Sequence, residues 1–169
     1  MLTIRKAEKA DLDKIMDIYD TARAFMRKSG NPTQWAGGYP PREMIVGDIA
    51  VGRSYVICDD GRVCGVFALF DGIDPTYLRI DGEGWLNDEP YLTIHRIASD
   101  GTARGVLKCA VDYCKSLSDN VRIDTHEDNH VMQSAVEKNG FIRCGIIYLE
   151  NGDPRIAYHW TAGEKQHER

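Results

Sequence analysis

Two short blocks of the sequence contain residues that could bind an anion or a metal ion. In the first, residues 91–114, a candidate strand runs into a candidate helix through a turn that contains Gly101 and Gly105. Backbone N–H groups at the start of a helix, with glycine nearby for close approach, form a site for an anion such as phosphate. Arg104 and Lys108 add positive charge there. An ordinary strand-to-helix turn is the alternative, because the block has neither a G-x-G-x-x-G nor a Walker A pattern.

The second block contains a literal H-E-x-x-H pattern, formed by His126, Glu127 and His130. Zinc hydrolases place two such histidines one turn apart on a single helix, with the glutamate as general base. Here the helix is expected to begin after a cap at Asp128 or Asn129, since both residue types favour that position. His126 would then precede the helix and His130 would lie inside it. We therefore expect no metal ion at this block, and a zinc-dependent hydrolase is the minor alternative.

Hydrophobic spacing predicts the elements of the first half of the chain. A short strand at residues 2–5 precedes a helix with apolar residues at helical spacing, which ends at residues 29–32. A second, shorter helix follows. Residues 55–58 and 62–70 are then rich in strand formers, and Asp60-Gly61 between them fits a type I′ hairpin turn. An acidic loop, residues 71–90, comes next.

The second half of the chain alternates strands with helices. A strand at residues 91–98 leads into a helix that Gly105 opens, and a helix that Gly140 ends follows a strand at residues 121–124. Two last strands cover residues 141–149 and 155–160. This order predicts a mixed sheet with helices on both faces.

The composition is that of a globular domain. The chain has 169 residues, 43% of them hydrophobic and 28% charged, which suits one domain over residues 1–162 and a frayed tail at 163–169. The net charge of −5 argues against nucleic-acid and membrane partners. The longest near-apolar run, residues 63–70, is too short to cross a bilayer. Five cysteines without a C-x-x-C pattern indicate reduced thiols and a cytoplasmic location.

The two blocks together resemble the GNAT superfamily of N-acetyltransferases. The opening TIRKAEKADLDKIMDIYDTA is similar to that family's first strand and helix, and Asn129 followed by Lys138, Gly140 and Phe141 is similar to its N…K-x-G-F signature. The resemblance implies an α/β fold with helices on both faces of a central, mostly antiparallel sheet of about seven strands that splays in the middle. It also implies acetyl-CoA as co-substrate and direct acetyl transfer, in a ternary complex, to a primary amine of a small molecule or peptide.

The same resemblance implies which residues bind acetyl-CoA. Backbone groups at the end of the strand would pair with the pantetheine arm, main-chain amides of the turn would bind the pyrophosphate, and an asparagine would contact the pantetheine. The family's Q/R-x-x-G-x-G/A loop is degenerate here, and Val136 stands where the family often has a general-acid tyrosine. A catalytically weak acyl-CoA or metabolite-binding module is therefore the main alternative. The implied cofactor-binding residues are Ile97, Ala98, Ser99, Arg104, Gly105, Val106, Leu107 and Asn129.

Acetyl transfer to an amine needs a base for the amine and an acid for the leaving thiolate. His95 is the candidate base, because imidazole titrates closest to neutral pH. Strand alternation would put it on the same face as Ile97. A hydrogen-bonded structural histidine is the alternative. Tyr148 is the candidate acid and Tyr158 a second one, although packing is the commoner use of such tyrosines.

Three loop aromatics are candidate contacts of the acceptor, namely Trp35, Tyr39 and Trp85. Exposed loop aromatics often line ligand sites, but anchoring a loop to the core is their commoner use. The sequence does not distinguish whether the acceptor is an amino acid, a polyamine, a drug or a peptide N-terminus. A homodimer is a candidate assembly.

Overall fold

The structure is a computed structural model that describes residues 1–163. The frayed tail predicted for residues 163–169 therefore lies outside the described residues, except for Gly163. Three short 3-10 turns among the described residues, at Lys9–Asp11, Ala36–Gly38 and Pro75–Tyr77, supplement the regular elements. In chain order the strands and α-helices are β1 Leu2–Lys6, α1 Leu12–Lys28, α2 Arg42–Ala50, β2 Ser54–Asp59, β3 Arg62–Asp71, β4 Leu92–Ser99, α3 Val106–Leu117, β5 Asn120–Thr125, α4 His130–Lys138, β6 Ile142–Tyr148 and β7 Pro154–Thr161.

Within residues 1–163, seven strands form one mixed sheet in the order β1-β2-β3-β4-β5-β7-β6. The registers of β1 with β2, β2 with β3, β5 with β7 and β6 with β7 are antiparallel, whereas β4 runs parallel to β5. A parallel neighbour needs a crossover connection, and α3 lies in the connection between these two strands. The α/β class and the mostly antiparallel sheet of seven strands predicted from the sequence are confirmed.

The hairpin between β2 and β3 forms where it was predicted. Asp60 and Gly61 have φ values of +49° and +85°. A type I′ turn requires this left-handed backbone at both central positions, and Asp-Gly adopts it readily. The turn aligns the two strands so that Asp59 faces Arg62.

The chain divides into two compact units. The first contains Met1–Leu69 with His95–Tyr113, and the second contains Phe70–Ile94 with the described residues from Cys114 onward. The single domain over residues 1–162 stays a prediction. No helix within residues 1–163 is long and apolar enough to cross a membrane. The cytoplasmic location also stays a prediction.

In the first unit, helices cover both faces of the strands. α1 and α2 pack against the face of β2 and β3 that carries Val56 and Val66. On the opposite face, the ring of Tyr55 lies 5.5 Å from that of Tyr113 in α3. A Cβ on Gly65 would lie 2.8 Å from Val106, so glycine lets α3 approach β3 closely. The helical spacing predicted for α1 is confirmed by its buried residues Ile15, Ile18, Tyr19 and Ala22.

In the second unit, the acidic loop between β3 and β4 packs onto the strands. Tyr77 is 2% exposed, and its hydroxyl donates to Oδ2 of Asp124 at 2.7 Å. The backbone of Asp81 exchanges two hydrogen bonds with that of Ile146, at 2.9 and 2.8 Å. A Cβ on Gly145 would lie 2.1 Å from the Asp81 carbonyl oxygen, so this close pairing needs glycine in β6. The loop is therefore part of the second unit's packed structure.

Candidate functional site

The turn between β4 and α3 is shaped by short-range hydrogen bonds. The Oγ of Ser99 accepts from the N–H of Gly101 at 3.0 Å, and Oδ1 of Asp100 accepts from the N–H of Thr102 at 3.0 Å. The Arg62 guanidinium pairs with Oδ2 of Asp100 at 3.1 Å. Burial alone would raise the pKa of Asp100, but the hydrogen bonds from Thr102 and Arg62 hold that pKa below its ordinary value. Ser99 thus helps to set the shape of the turn.

The first turn of α3 presents unpaired backbone donors. Gly105 precedes the helix with φ +79°, and its carbonyl accepts from the N–H of Cys109 at 2.9 Å. The N–H groups of Val106, Leu107 and Lys108 come before that bond, so they have no acceptor within the helix. A Cβ on residue 105 would meet nothing within 4 Å, so the surrounding space is open. Open amides at the positive end of a helix dipole suit an anion.

The cationic side chains near this turn differ in whether a carboxylate pairs with them. The Lys108 ammonium pairs with Asp112 at 2.6 Å, and Arg62 is held by Asp100. Arg104 is exposed, and no carboxylate in the described part of the chain pairs with it. Arg104 is therefore the cation that an anion at this turn could recruit.

β4 contains a left-handed residue, Arg96, with φ +52°. A non-glycine residue in this conformation costs roughly 1–2 kcal/mol, so surrounding contacts must hold it. The Tyr19 hydroxyl donates to the Arg96 carbonyl at 2.7 Å, and the Arg96 guanidinium donates to Oδ2 of Asp48 at 2.7 Å. Burial would lower the pKa of Arg96, but Asp48 keeps it above its ordinary value. The alternation expected to put half-buried His95 and Ile97 on one face is interrupted at this residue.

Two of the three predicted substrate residues lie together. The ring centre of Trp35 is 6.4 Å from that of Tyr39 and 5.6 Å from that of Tyr19, which it meets edge-on. The Arg23 guanidinium donates to the Tyr39 carbonyl at 3.0 Å, and the Tyr39 side chain hydrogen-bonds with Arg96. These contacts connect the loop between α1 and α2 to β4.

The third predicted substrate residue, Trp85, belongs to the second unit and anchors its loop. The Trp85 indole N–H donates to the Tyr77 carbonyl at 2.9 Å. The guanidinium carbon of Arg122 lies 4.1 Å from the centre of the Trp85 ring and 3.9 Å from that of Tyr91. Arg122 also donates to the Asn87 carbonyl at 2.9 Å. Packing accounts for the position of Trp85, and its contact with an acceptor stays a prediction.

Asn129, rather than Asp128, caps α4. Its Oδ1 accepts from the N–H of Met132 at 3.0 Å. His126 precedes the helix, and its Nδ1 accepts from the N–H of Asp128 at 3.0 Å. The prediction that the two histidines of the H-E-x-x-H pattern do not share a helix is confirmed. Within residues 1–163, no group of three or more His, Cys, Asp or Glu side chains could hold a metal ion.

The two candidate acids have different surroundings. The Tyr148 hydroxyl donates to Oδ2 of Asp81 at 2.7 Å, and this hydrogen bond raises the pKa of Tyr148. The guanidinium carbon of Arg79 lies 4.4 Å from the Tyr148 ring centre. Tyr158 is 1% exposed, and burial raises its pKa. Tyr148 is therefore the more accessible of the two.

Sequence reasoning missed the buried charges that shape these sites. Asp48 and Arg96 form an ion pair, and Arg122 is stacked between two aromatic rings. His159 is fully buried, with the Leu86 N–H donating to its Nδ1 at 3.1 Å. The one signal was a charged residue within an apolar stretch, as at Arg122 between two β-branched residues. Each contact joins residues that are 35 or more positions apart, so no local sequence pattern could predict it.

Comparisons with known proteins agree with this geometry. The sequence matches no protein-family model and no curated protein. It is 34% identical to a GNAT-family acetyltransferase of solved structure from Streptococcus agalactiae 2603, with 96% of each chain covered and a TM-score of 0.86. A GNAT-family acetyltransferase from Bacillus cereus ATCC 10987 is 25% identical, with 97% of this chain and 99% of that chain covered and a TM-score of 0.62. One from Listeria monocytogenes 4b F2365 shares the fold, with 19% identity, 95% and 94% coverage and a TM-score of 0.69.

The resemblance seen in the sequence and the structural match therefore agree over nearly the whole chain. The mixed seven-stranded sheet and the strand–turn–helix unit with its open amides are present. With 34% identity to a solved member over 96% of its length, this chain belongs to the GNAT family of acetyltransferases.

Proposed function

We propose that this chain transfers the acetyl group of acetyl-CoA to a primary amine of a small molecule or peptide while both substrates are bound. Membership of the GNAT family supports acetyl transfer. The observation that carries the proposal is the first turn of α3, where left-handed Gly105 leaves several amides open to an anion directly after β4. A pyrophosphate is the anion that acetyl-CoA brings.

The residues present fit acetyl-CoA in two further respects. The register of β4 with β5 ends at Thr93, and β4 continues to Ser99. Backbone groups of Ile97 and Ala98 would pair with the amides of the pantetheine arm. Exposed Arg104 would add charge at the phosphates. Main-chain donors act whatever their side chains are, so the degenerate glycine pattern does not remove this site.

The chemistry proposed for the chain's own residues is proton transfer. Bound acetyl-CoA supplies an activated acetyl thioester. The amine nitrogen bonds to the acetyl carbonyl carbon, the carbon–sulfur bond breaks, the amine loses a proton and the thiolate gains one. His95 takes the proton from the amine, directly or through one water, and Tyr148 returns a proton to the sulfur. The hydrogen bond to Asp81 favours protonated Tyr148, the form that an acid needs.

A binding module of the same fold without turnover is the second candidate. Val136 stands where the family often has the tyrosine that serves as the acid, and Leu107 can take the position of a small residue of the family's loop. The first departure weakens catalysis, whereas the second leaves less room for the phosphates and weakens binding. Product formation with an amine separates the two candidates.

Replacement of Leu107 tests the cofactor site. Leu107→Pro removes one N–H donor, and proline is tolerated in the first turn of a helix. Leu107→Ala also shortens the side chain but keeps the donor, so it is the matched control. A hydrogen bond to a charged group contributes about 1.5–3 kcal/mol. In calorimetry, Leu107→Pro should therefore weaken acetyl-CoA binding roughly 10- to 100-fold, whereas Leu107→Ala should bind at least as tightly as wild type. Equal affinities in the two variants would contradict a main-chain phosphate site.

A further inference from the structure

A groove of about 350 Å³ lies in the first unit, between the C-terminal half of α1 and the loop that follows it. This volume falls in the range of small-molecule sites, about 300–1,000 Å³. Its apolar wall includes Met26, Pro32 and Trp35, and its polar groups come from Arg23, Arg27 and Asn31. Neither the cofactor turn nor the proton-transfer residues line it.

Asn31 is a buried polar residue with one atom unsatisfied. It is 2% exposed, its backbone N–H donates to the Met26 carbonyl at 2.8 Å, and its Nδ2 donates to Oε1 of Gln34 at 2.8 Å. Its Oδ1 has no hydrogen-bond donor within residues 1–163. A buried acceptor without a donor is costly, and native structures rarely keep one without a reason. The oxygen is also closed to water, so Asn31 contributes to the groove as part of its buried wall.

The two arginines of the groove are four residues apart, on one face of α1. Arg23 pairs with Asp20 and donates to the Tyr39 carbonyl at 3.0 Å. Arg27 is exposed, and no carboxylate in the described part of the chain pairs with it. Like charges at this spacing disfavour the helix, and an anion between them would reverse that effect. Favourable interaction with the helix dipole also explains a basic last turn, but it explains neither the groove nor Asn31.

We propose, resting on the acetyl transfer proposed above, that the acceptor is an amine that also carries a carboxylate, of the amino-acid class. Arg27 binds the carboxylate, with Arg23 beside it. Trp35 packs against the apolar part of the ligand. The Trp35 ring contacts that of Tyr19, whose hydroxyl donates to the Arg96 carbonyl, so the groove is connected through these two residues to the strand that carries His95.

Matched pairs of amines test this inference. Lysine with cadaverine, phenylalanine with 2-phenylethylamine, and methionine with 3-(methylthio)propylamine differ only in the carboxylate. For at least one pair, kcat/KM for acetylation should be about 10-fold or more higher for the amino acid, since bidentate recognition of a carboxylate by arginine is a strong charge-assisted contact. Arg27→Gln should abolish that preference mainly through KM. Lys28→Gln removes the same charge from the adjacent position, outside the groove, and should keep it. A preference absent from wild type, retained by Arg27→Gln, or lost equally in Lys28→Gln would overturn the inference.

Binding without acetyl-CoA separates this inference from the proposed function. Calorimetric titration of the amino acids alone should show binding that Arg27→Gln removes and Lys28→Gln preserves. That result with no acetylation of any amine would contradict the proposed transfer and leave the carboxylate site standing. Acetylation of the decarboxylated amines, with no amino-acid binding, would support transfer and overturn the groove's role.

Discussion

Arg96 combines a left-handed backbone with a guanidinium that is almost removed from water. Its side chain is 11% exposed and that of its partner Asp48 is 6% exposed. Charges at such depth lose several kcal/mol of hydration each, so either one without the other is strongly unfavourable. The Tyr19 hydroxyl holds the carbonyl of the same residue. The end of β4, where we place the pantetheine arm, thus depends on a side chain in α1 and another in α2.

Asp48→Ala should destabilise the protein severely. The change leaves the Arg96 guanidinium buried without its carboxylate, and breaking a buried pair in this way costs about 3–5 kcal/mol. Urea denaturation measures the loss. Asp112→Ala is the control, because it breaks the exposed pair with Lys108, for which about 0.5 kcal/mol or less is expected. Similar losses in the two variants would mean that the buried pair contributes no more than a surface one.

The pH dependence of kcat/KM should change at its alkaline limb when Asp81 is replaced. Its ionised carboxylate accepts from the Tyr148 hydroxyl and favours the neutral phenol, so the pKa of Tyr148 is raised. Asp81→Asn removes that charge, and the pKa of Tyr148 should fall toward the ordinary tyrosine value of about 10. An acid is active only while protonated, so the alkaline limb of kcat/KM should move to lower pH in Asp81→Asn and the acidic limb should stay. A limb that does not move would exclude Tyr148 as the acid.

Features of individual elements that depend on neighbouring residues could be predicted from the sequence, whereas contacts between distant residues could not. The Asp60-Gly61 hairpin and the cap of α4 depend on neighbouring residues, and both formed as expected. Residues 71–90 read only as an acidic loop, yet Tyr77 in it is buried and hydrogen-bonded to Asp124 in β5. That contact spans 47 residues, so no local pattern could indicate it. The packing of Trp85 against Arg122 in β5 could not be predicted for the same reason.

Two changes at Asn129 separate its role in α4 from its predicted role toward acetyl-CoA. Asn129→Asp keeps an oxygen that can accept from the Met132 N–H, so stability should stay near that of wild type. Asn129→Ala removes the cap and should cost about 1 kcal/mol in urea denaturation. Both variants lack the side-chain amide donor, so both should bind acetyl-CoA more weakly in calorimetry. Wild-type affinity in Asn129→Asp would leave Asn129 with a capping role alone.

For the whole molecule, periodicity predicted how many elements there are but not which strands pair. β5 pairs with β7, and β6 lies at the edge of the sheet, although β6 precedes β7 in the chain. Hydrophobic spacing shows which face of a strand is buried but carries no information on its neighbour, so the order of elements predicted a mixed sheet but not the order of its strands. The groove on α1 escaped prediction for a related reason. Arg23, Arg27 and Asn31 look like unrelated surface residues in the sequence, and only the folded loop after α1 brings them to one groove.

Turnover with acetyl-CoA and a panel of amines tests the proposed acetyl transfer. We expect release of the CoA thiol to require an amine and to match the amount of N-acetylated product found by mass spectrometry. We also expect His95→Gln to lower kcat/KM by about 100-fold at neutral pH, the usual scale of a general base, with acetyl-CoA affinity retained. Binding of acetyl-CoA without product from any amine would contradict acetyl transfer and identify the chain as a binding module.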